Sequence, residues 1–368
     1  MDPALNPFAP GHGAPPPALV GREEILREAE MTLGQVRDGR TSKNLLLVGL
    51  RGVGKTVLLN RVQQLAQEQF GFLAILIEAQ EDKRLPALLL PPLRSIQFTL
   101  NRFENVSDDL KPGLRVLKSF ASGISLLLAV ADAAASRKRA LALSIDEMQY
   151  LTENEMSALI MAVHRVVQSH LPLVLIGAGL PQLVGLAGKS KSDAERLFNF
   201  PEVGALGRGD AKAALSEPVR RAGVSFEDRA LEEIVDVTQG YPYFLQEWGY
   251  HSWNTASNSK ITLDDVQKVH EKVIQKLDES FFRVRLARLT RREKDYLRAM
   301  AELGPLSNRS RDIADVLGMK VRSAAPLRSA LIKKGMIFSP TYGNTAFTVP
   351  LFDEFMKRTI PKIRQNRL

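Results

Sequence analysis

The segment NLLLVGLRGVGKT, Asn44 to Thr56, limits the possible folds of this chain more than any other stretch. NLLLV is a short, almost wholly apolar run, which suits a strand covered on both faces. GLRGVGKT, Gly49 to Thr56, then fits G-x-x-x-x-G-K-[ST]. Phosphate needs several backbone N–H donors converging on it, and side chains would obstruct that approach. Gly49, Gly52 and Gly54 remove them, and a helix opening near Lys55 turns its positive end toward the anion. Lys55 is placed to reach β and γ phosphates, and the Thr56 hydroxyl to ligate Mg²⁺. Val53 and Val57 complete the nucleotide-binding stretch. The expected cofactors are therefore ATP and Mg²⁺.

The surrounding pattern supplies the fold class. KTVLLNRVQQLAQEQ has helical period, and GFLAILIEA, ALALSIDE and LPLVLIGAG read as three further buried strands. Leu85 to Phe103 and Leu114 to Ala135 read as helices around the turn SDDLKPG, and NEMSALIMAVHRVVQSH as another. Strands alternating with helices imply an α/β, doubly wound parallel sheet, with ligands at the carboxyl ends of the strands. From Arg208 four helical stretches follow, the last opened by the N-cap candidate Thr262. The C-terminal order is helix, two short helices, then two strands around a Gly-containing turn, the order of a winged helix-turn-helix. The expected organisation is a disordered Pro-rich tail over 1–18, a P-loop core over 19–205, a helical lid over 206–285 and a winged helix-turn-helix over 286–368.

Composition narrows the setting. There is no cysteine, hence no disulfide framework and no thiolate metal site, and the five histidines form no i, i+4 pair. The N-terminus lacks the charged and apolar regions of a signal peptide, and the run Phe120 to Ala135 is too short and interrupted to span a bilayer. A cytoplasmic protein with no membrane partner is expected. The net charge of +9 is uneven: from Arg283 onward 19 Lys and Arg stand against seven Asp and Glu. Such asymmetry points to an anionic partner at that end, most often nucleic acid.

Strand ALALSIDE ends in two acids. Asp146 is placed to hold Mg²⁺ through water, and Glu147 to polarise an attacking water. The competing reading is a strand-end acid pair that caps the next helix. An acid directly after the metal acid favours hydrolysis over transfer to a small acceptor.

In order, LVGREEIL, GLRGVGKT, LSIDEMQYL and QGYPYFLQ resemble the ATPases lying between AAA+ replication initiators and STAND signalling NTPases. The resemblance covers roughly Leu19 to Arg358. It implies that Val20, Gly21 and Arg22 sit by the adenine. It also implies that Pro242, in a G-x-P motif, contacts nucleotide and couples it to lid position; locally that stretch is also a plain helix start. Arg196 falls where initiators carry an arginine finger acting on a neighbouring subunit, which would require self-association. A surface salt bridge to Glu195 or Asp193 is the alternative. Two family features are missing. The strand after Ile176 ends Gly177-Ala178-Gly179 with no polar sensor, leaving Gln149 as a candidate, and the lid has no sensor arginine. Arg51 has no assigned role.

A winged helix lays its second helix in the major groove, N-terminal residues on base edges. Those residues are Val321, Arg322, Ser323 and Arg328, with Lys333, Lys334, Tyr342 and Asn344 placed for phosphate. Pro326, tolerated only in a first turn, sets the helix start near Ser323. Three functions follow: an ATP-dependent switch engaging duplex DNA; a signalling module whose winged helix docks on protein; and a metabolite kinase, disfavoured because no acceptor domain is apparent.

Overall fold

The computed structural model describes residues 1–11, 15–101, 120–190 and 194–361. The expected turn SDDLKPG lies outside the described residues. The chain divides into two compact units, one of Arg22–Gly49 with Gly54–Val203 and one of Met1–Gly21, Leu50–Val53 and Gly204–Leu368.

The first unit is built on a parallel five-stranded sheet, β1 Asn44–Val48, β2 Leu73–Glu78, β3 Leu141–Asp146, β4 Leu173–Gly179 and β5 Phe198–Asn199. The order is β2-β3-β4-β1-β5, every neighbour parallel. β1, β3 and β4 are buried along their whole length, which is why their sequences are continuous apolar runs rather than alternating ones. Register brings the strand ends together: Val48 pairs with Gly179, Ile145 with Gly177 and Glu78 with Asp146.

Helices Glu23–Arg37, Lys55–Glu68, Leu85–Asn101, Phe120–Ala135 and Glu153–Gln168 supply the apolar cover. The last begins with a capping box: Thr152 accepts the Glu155 N–H, and Glu155 accepts the Thr152 N–H. Glu155 also accepts the Leu85 N–H at 2.9 Å, so one buried carboxylate fixes two helix starts.

In the second unit the four expected lid helices are Arg208–Arg221, Asp228–Thr238, Pro242–Thr255 and Leu263–Lys276. Thr262 and Asp265 form the expected cap of the fourth. After a π-helical turn, Leu277–Phe282, come Arg283–Ala287 and Arg291–Leu303, then β8 Asn308–Arg309. Ahead of β8 in the chain stands the short parallel pair β6 Ser225–Phe226 and β7 Lys260–Ile261. Helices Ser310–Val316 and Val321–Lys333 follow, then β9 Ile337–Phe338, β10 Asn344–Phe347 and helix Phe352–Thr359. β8, β10 and β9 form a small antiparallel sheet in that order.

Three expectations are corrected. Packing does not break near residue 285: Phe282 is fully buried, stacks on Phe355 with ring centroids 5.1 Å apart, and meets Phe244 edge-on at 6.1 Å. Arg358 adds a two-bond ion pair to Asp278, at 2.7 and 2.9 Å. The N-terminal segment, expected to be disordered, packs on helix Pro242–Thr255. Phe8 is 2% exposed, Asn6 Nδ2 donates to the Tyr250 carbonyl and Asn254 Oδ1 at 3.0 and 2.9 Å, and Trp253 Nε1 donates to the Asp2 carbonyl. One aromatic ring in a fitted seat outweighs the loop-forming composition around it. The helix expected to start near Ser323 starts at Val321, so Pro326 lies in its second turn. Proline there removes one backbone N–H from the helix, which continues to Lys333.

Candidate nucleotide site

β1 delivers the phosphate loop. Gly49 N–H donates to the Gly179 carbonyl at 3.1 Å, which ties the start of the loop to β4. Gly52 and Gly54 have φ of +79° and +95°, the left-handed region that glycine enters at little cost. Gly54 caps helix Lys55–Glu68, accepting the Leu58 N–H at 3.0 Å, so the positive end of the helix dipole faces the loop. Lys55 is buried and Thr56 half-buried.

The acid pair stands where the sequence placed it. Asp146 ends β3 and is buried. Its Oδ2 accepts from the Thr56 hydroxyl at 2.6 Å and its Oδ1 from the Glu147 N–H at 2.8 Å, so both oxygens are held. A hydroxyl and a carboxylate at this separation are hard oxygen donors of the kind Mg²⁺ takes. Glu147 stands at the N-cap position of the turn Met148–Tyr150 but makes no side-chain cap bond there, and Thr152 caps the helix that follows. Glu147 sits at φ 53°, ψ 36°, a backbone that costs a non-glycine residue about 1–2 kcal/mol. Strain of this kind gathers at working sites.

Gln149 was a candidate phosphate sensor; its amide is instead spent inside the site. Its Nε2 donates to Glu147 Oε2, and its Oε1 accepts the Leu180 N–H at 3.1 Å. Arg22 is buried at the start of helix Glu23–Arg37, where its carbonyl accepts the Leu26 N–H at 3.0 Å. Arg196 is exposed in the short helix Ala194–Leu197, with no ion pair among the described residues; Asp193, its alternative partner, lies outside them.

In the other unit, Val53 is buried, Val20 half-buried, and Gly21 has φ +68°. Pro242 occupies the first turn of its helix, as expected of proline. The residue before it carries a contact that motif reasoning missed: the buried Tyr241 hydroxyl donates to the Arg51 carbonyl. Burial pushes that phenol's pKa up, so it stays a protonated donor. The available signal was a tyrosine standing between Gly240 and Pro242, but nothing local says what it reaches.

The residues expected to meet DNA separate into two groups. Arg322, Ser323 and Lys333 are exposed. Arg328 is not available as expected: its guanidinium donates to Thr345 Oγ1, Ser339 Oγ and the Asn344 carbonyl at 3.0, 2.7 and 3.2 Å. Lys334 is likewise committed, to Glu293 at 2.8 Å and to the Arg288 carbonyl at 3.2 Å. Tyr342 is fully exposed at the β9–β10 turn.

This fold and this loop define a P-loop nucleoside triphosphatase core. Residues 18–176 match the AAA ATPase domain, and residues 279–356 match a domain of unknown function. No curated protein matches the chain. Among solved structures, the Walker-type ATPase of Pyrococcus abyssi is 21% identical, with a TM-score of 0.62 over 92% of this chain and 96% of that one. Cdc6p from Pyrobaculum aerophilum is 16% identical, with a TM-score of 0.53 over 98% and 99%. At these identities the likeness concerns the fold. The matched domain, the sheet and the loop together support an ATPase of the AAA type. No helix among the described residues is long and apolar enough to cross a membrane.

Proposed function

We propose that this chain is an ATP-binding and ATP-hydrolysing switch of the AAA+/STAND group, whose nucleotide state is coupled through the helical lid to a basic winged helix that binds duplex DNA. The observation that carries the hydrolytic part is the arrangement at the end of β3, where Asp146 pairs with Thr56 and Glu147 follows directly.

Lys55 and the loop N–H groups hold the phosphates, and Val53, Val57, Val20, Gly21, Arg22 and Pro242 are assigned to the nucleotide. Thr56 and Asp146 would hold Mg²⁺, which would supply charge neutralisation at the phosphates. Glu147 orients a water in line with the γ phosphorus and accepts its proton. The new P–O bond forms as the bond to the β–γ bridging oxygen breaks, giving ADP and phosphate. Arg196 is assigned as a finger acting on a neighbouring copy. The aromatic packing from Tyr241 through Phe244 and Phe282 to Phe355 supports coupling between lid and C-terminal segment.

For DNA we retain Arg322, Ser323 and Lys333 and release Arg328 and Lys334. Exposed Leu306 and Val321 favour a second reading, in which the C-terminal segment docks on protein. Filter binding to duplex DNA at two salt concentrations separates them. Steep loss of binding with salt is expected; no binding at low salt in either nucleotide state ends the DNA reading. For hydrolysis, Glu147→Gln retains ATP affinity and loses turnover, and wild-type turnover in that variant refutes the role of Glu147.

A further inference from the structure

β4 ends Gly177-Ala178-Gly179, with no polar side chain to offer the site. The structure gives this sequence a reason. The turn Met148–Tyr150 packs directly on that strand end. A Cβ on Gly177 would run into Met148 Sδ, and one on Gly179 would sit 3.1 Å from Gln149 Oε1 and 2.9 Å from Leu183 Cδ2. The strand end is bare because Met148 and Gln149 occupy the space a larger residue would take.

The Gln149 side chain makes a bond on each side of that turn. Its Oε1 takes the Leu180 N–H, immediately after β4. That bond settles which end of the amide is which, since only a carbonyl oxygen can accept. The NH₂ end must then face Glu147, where it donates to Oε2. Glu147 is already held in a strained backbone conformation, with its N–H given to Asp146. The carboxylate is thus tied from both ends, by its own backbone and by an amide anchored on β4.

We propose that Gln149 is a positioning residue for the proposed base Glu147, carrying the orientation of the β4 end to the carboxylate through its amide. The proposal rests on the hydrolytic reading above. Gln149 acts through Glu147, to which its amide donates. Small misplacement of a catalytic group is expensive, about 10²-fold for 1 Å.

Two substitutions separate this role from simple structural support. Gln149→Glu keeps an oxygen that accepts the Leu180 N–H, but replaces the donor beside Glu147 with a second carboxylate. Gln149→Leu removes both bonds and keeps the bulk. If Gln149 only braces the turn, the Leu variant is the worse of the two. If it positions Glu147, the Glu variant loses kcat at least as severely, about 10²-fold, while ATP affinity, read with a fluorescent ATP analogue, stays within about twofold of wild type.

Steady-state turnover and ATP-analogue titration of wild type, Gln149→Glu, Gln149→Leu and Lys55→Ala form the test. A Glu variant with wild-type kcat, or one milder than Leu, overturns the positioning role. Failure of the reading beneath it looks different: wild type itself then shows no turnover, or Lys55→Ala matches wild type in both assays, and either result removes the proposal with it.

Discussion

Gly249→Ala should change sign with its background. Gly249 lies inside helix Pro242–Thr255, where alanine is ordinarily the better residue by about 1 kcal/mol. A methyl group there, however, would lie 2.7–2.8 Å from three carbons of the Phe8 ring. The helix backbone cannot retreat, whereas Phe8 stands on a segment without regular structure, so the ring leaves. Phe8 is 2% exposed, and burial of a phenylalanine side chain is worth about 1.5–3 kcal/mol. Gly249→Ala should therefore destabilise the wild-type protein by about 0.5–2 kcal/mol, the burial lost less the propensity gained. In a Phe8→Ala background it should stabilise by about 1 kcal/mol. The coupling, about 1.5–3 kcal/mol, lies in the upper part of the range for residues in contact. Urea denaturation followed by tryptophan fluorescence reads this directly, since both tryptophans, Trp248 and Trp253, lie in the same helix. Equal effects of Gly249→Ala in the two backgrounds would refute the seat for Phe8 and the anchored N-terminal segment together.

Two further outcomes are expected. Arg328→Ala should lower stability by about 1–3 kcal/mol through the stranded Thr345 and Asn344 acceptors, whereas Arg322→Ala should leave stability unchanged and, on the proposed DNA reading, weaken binding to duplex DNA. Matched urea midpoints for Arg328→Ala and wild type would show that the arginine is not structural. His251 should make the protein acid-sensitive. Its burial, then the charges of Lys276 and Lys272, lower its pKa from 6.5 to about 4, although Glu247 Oε2 lies 3.8 Å away. Between those values the unfolded chain binds the extra proton, so stability rises with pH and is lost as pH falls from about 6.5 toward 4. His251→Gln should flatten the urea midpoint across that window, and an unchanged slope would exclude His251 as the cause.

What the sequence disclosed and what it hid divide along a physical line. β1, β3 and β4 were legible because strands buried on both faces must be apolar throughout. The phosphate loop was legible because its chemistry needs fixed residue types at fixed spacing. Thr262 and Pro242 were legible because caps and first turns are local. Arg328 was misread because its partners lie on β10 and the turn before it, and a basic residue on an amphipathic helix looks the same whether it faces solvent or a neighbouring hydroxyl. Phe8 was misread for the same reason, since its seat on Gly249 is more than two hundred residues away in the chain. The Pro and Gly around Phe8 describe the backbone and say nothing of where one ring will fit.

Arg51 shows this most clearly. As a residue inside the phosphate loop it invited a role for its guanidinium. The bond the structure assigns to it at Tyr241 uses its carbonyl, which any residue would supply. The sequence constraint falls one position later, on Gly52, where a Cβ would sit 2.5 Å from the Tyr241 hydroxyl oxygen. Gly52 therefore answers to two demands, the positive φ of a phosphate loop and the close approach of a phenol held between Gly240 and Pro242. Any side chain at 52 must push Tyr241 off the Arg51 carbonyl even where it leaves room for phosphate. In this chain the loop glycine and the tyrosine of GYP form one feature, a tyrosine donor to the loop backbone.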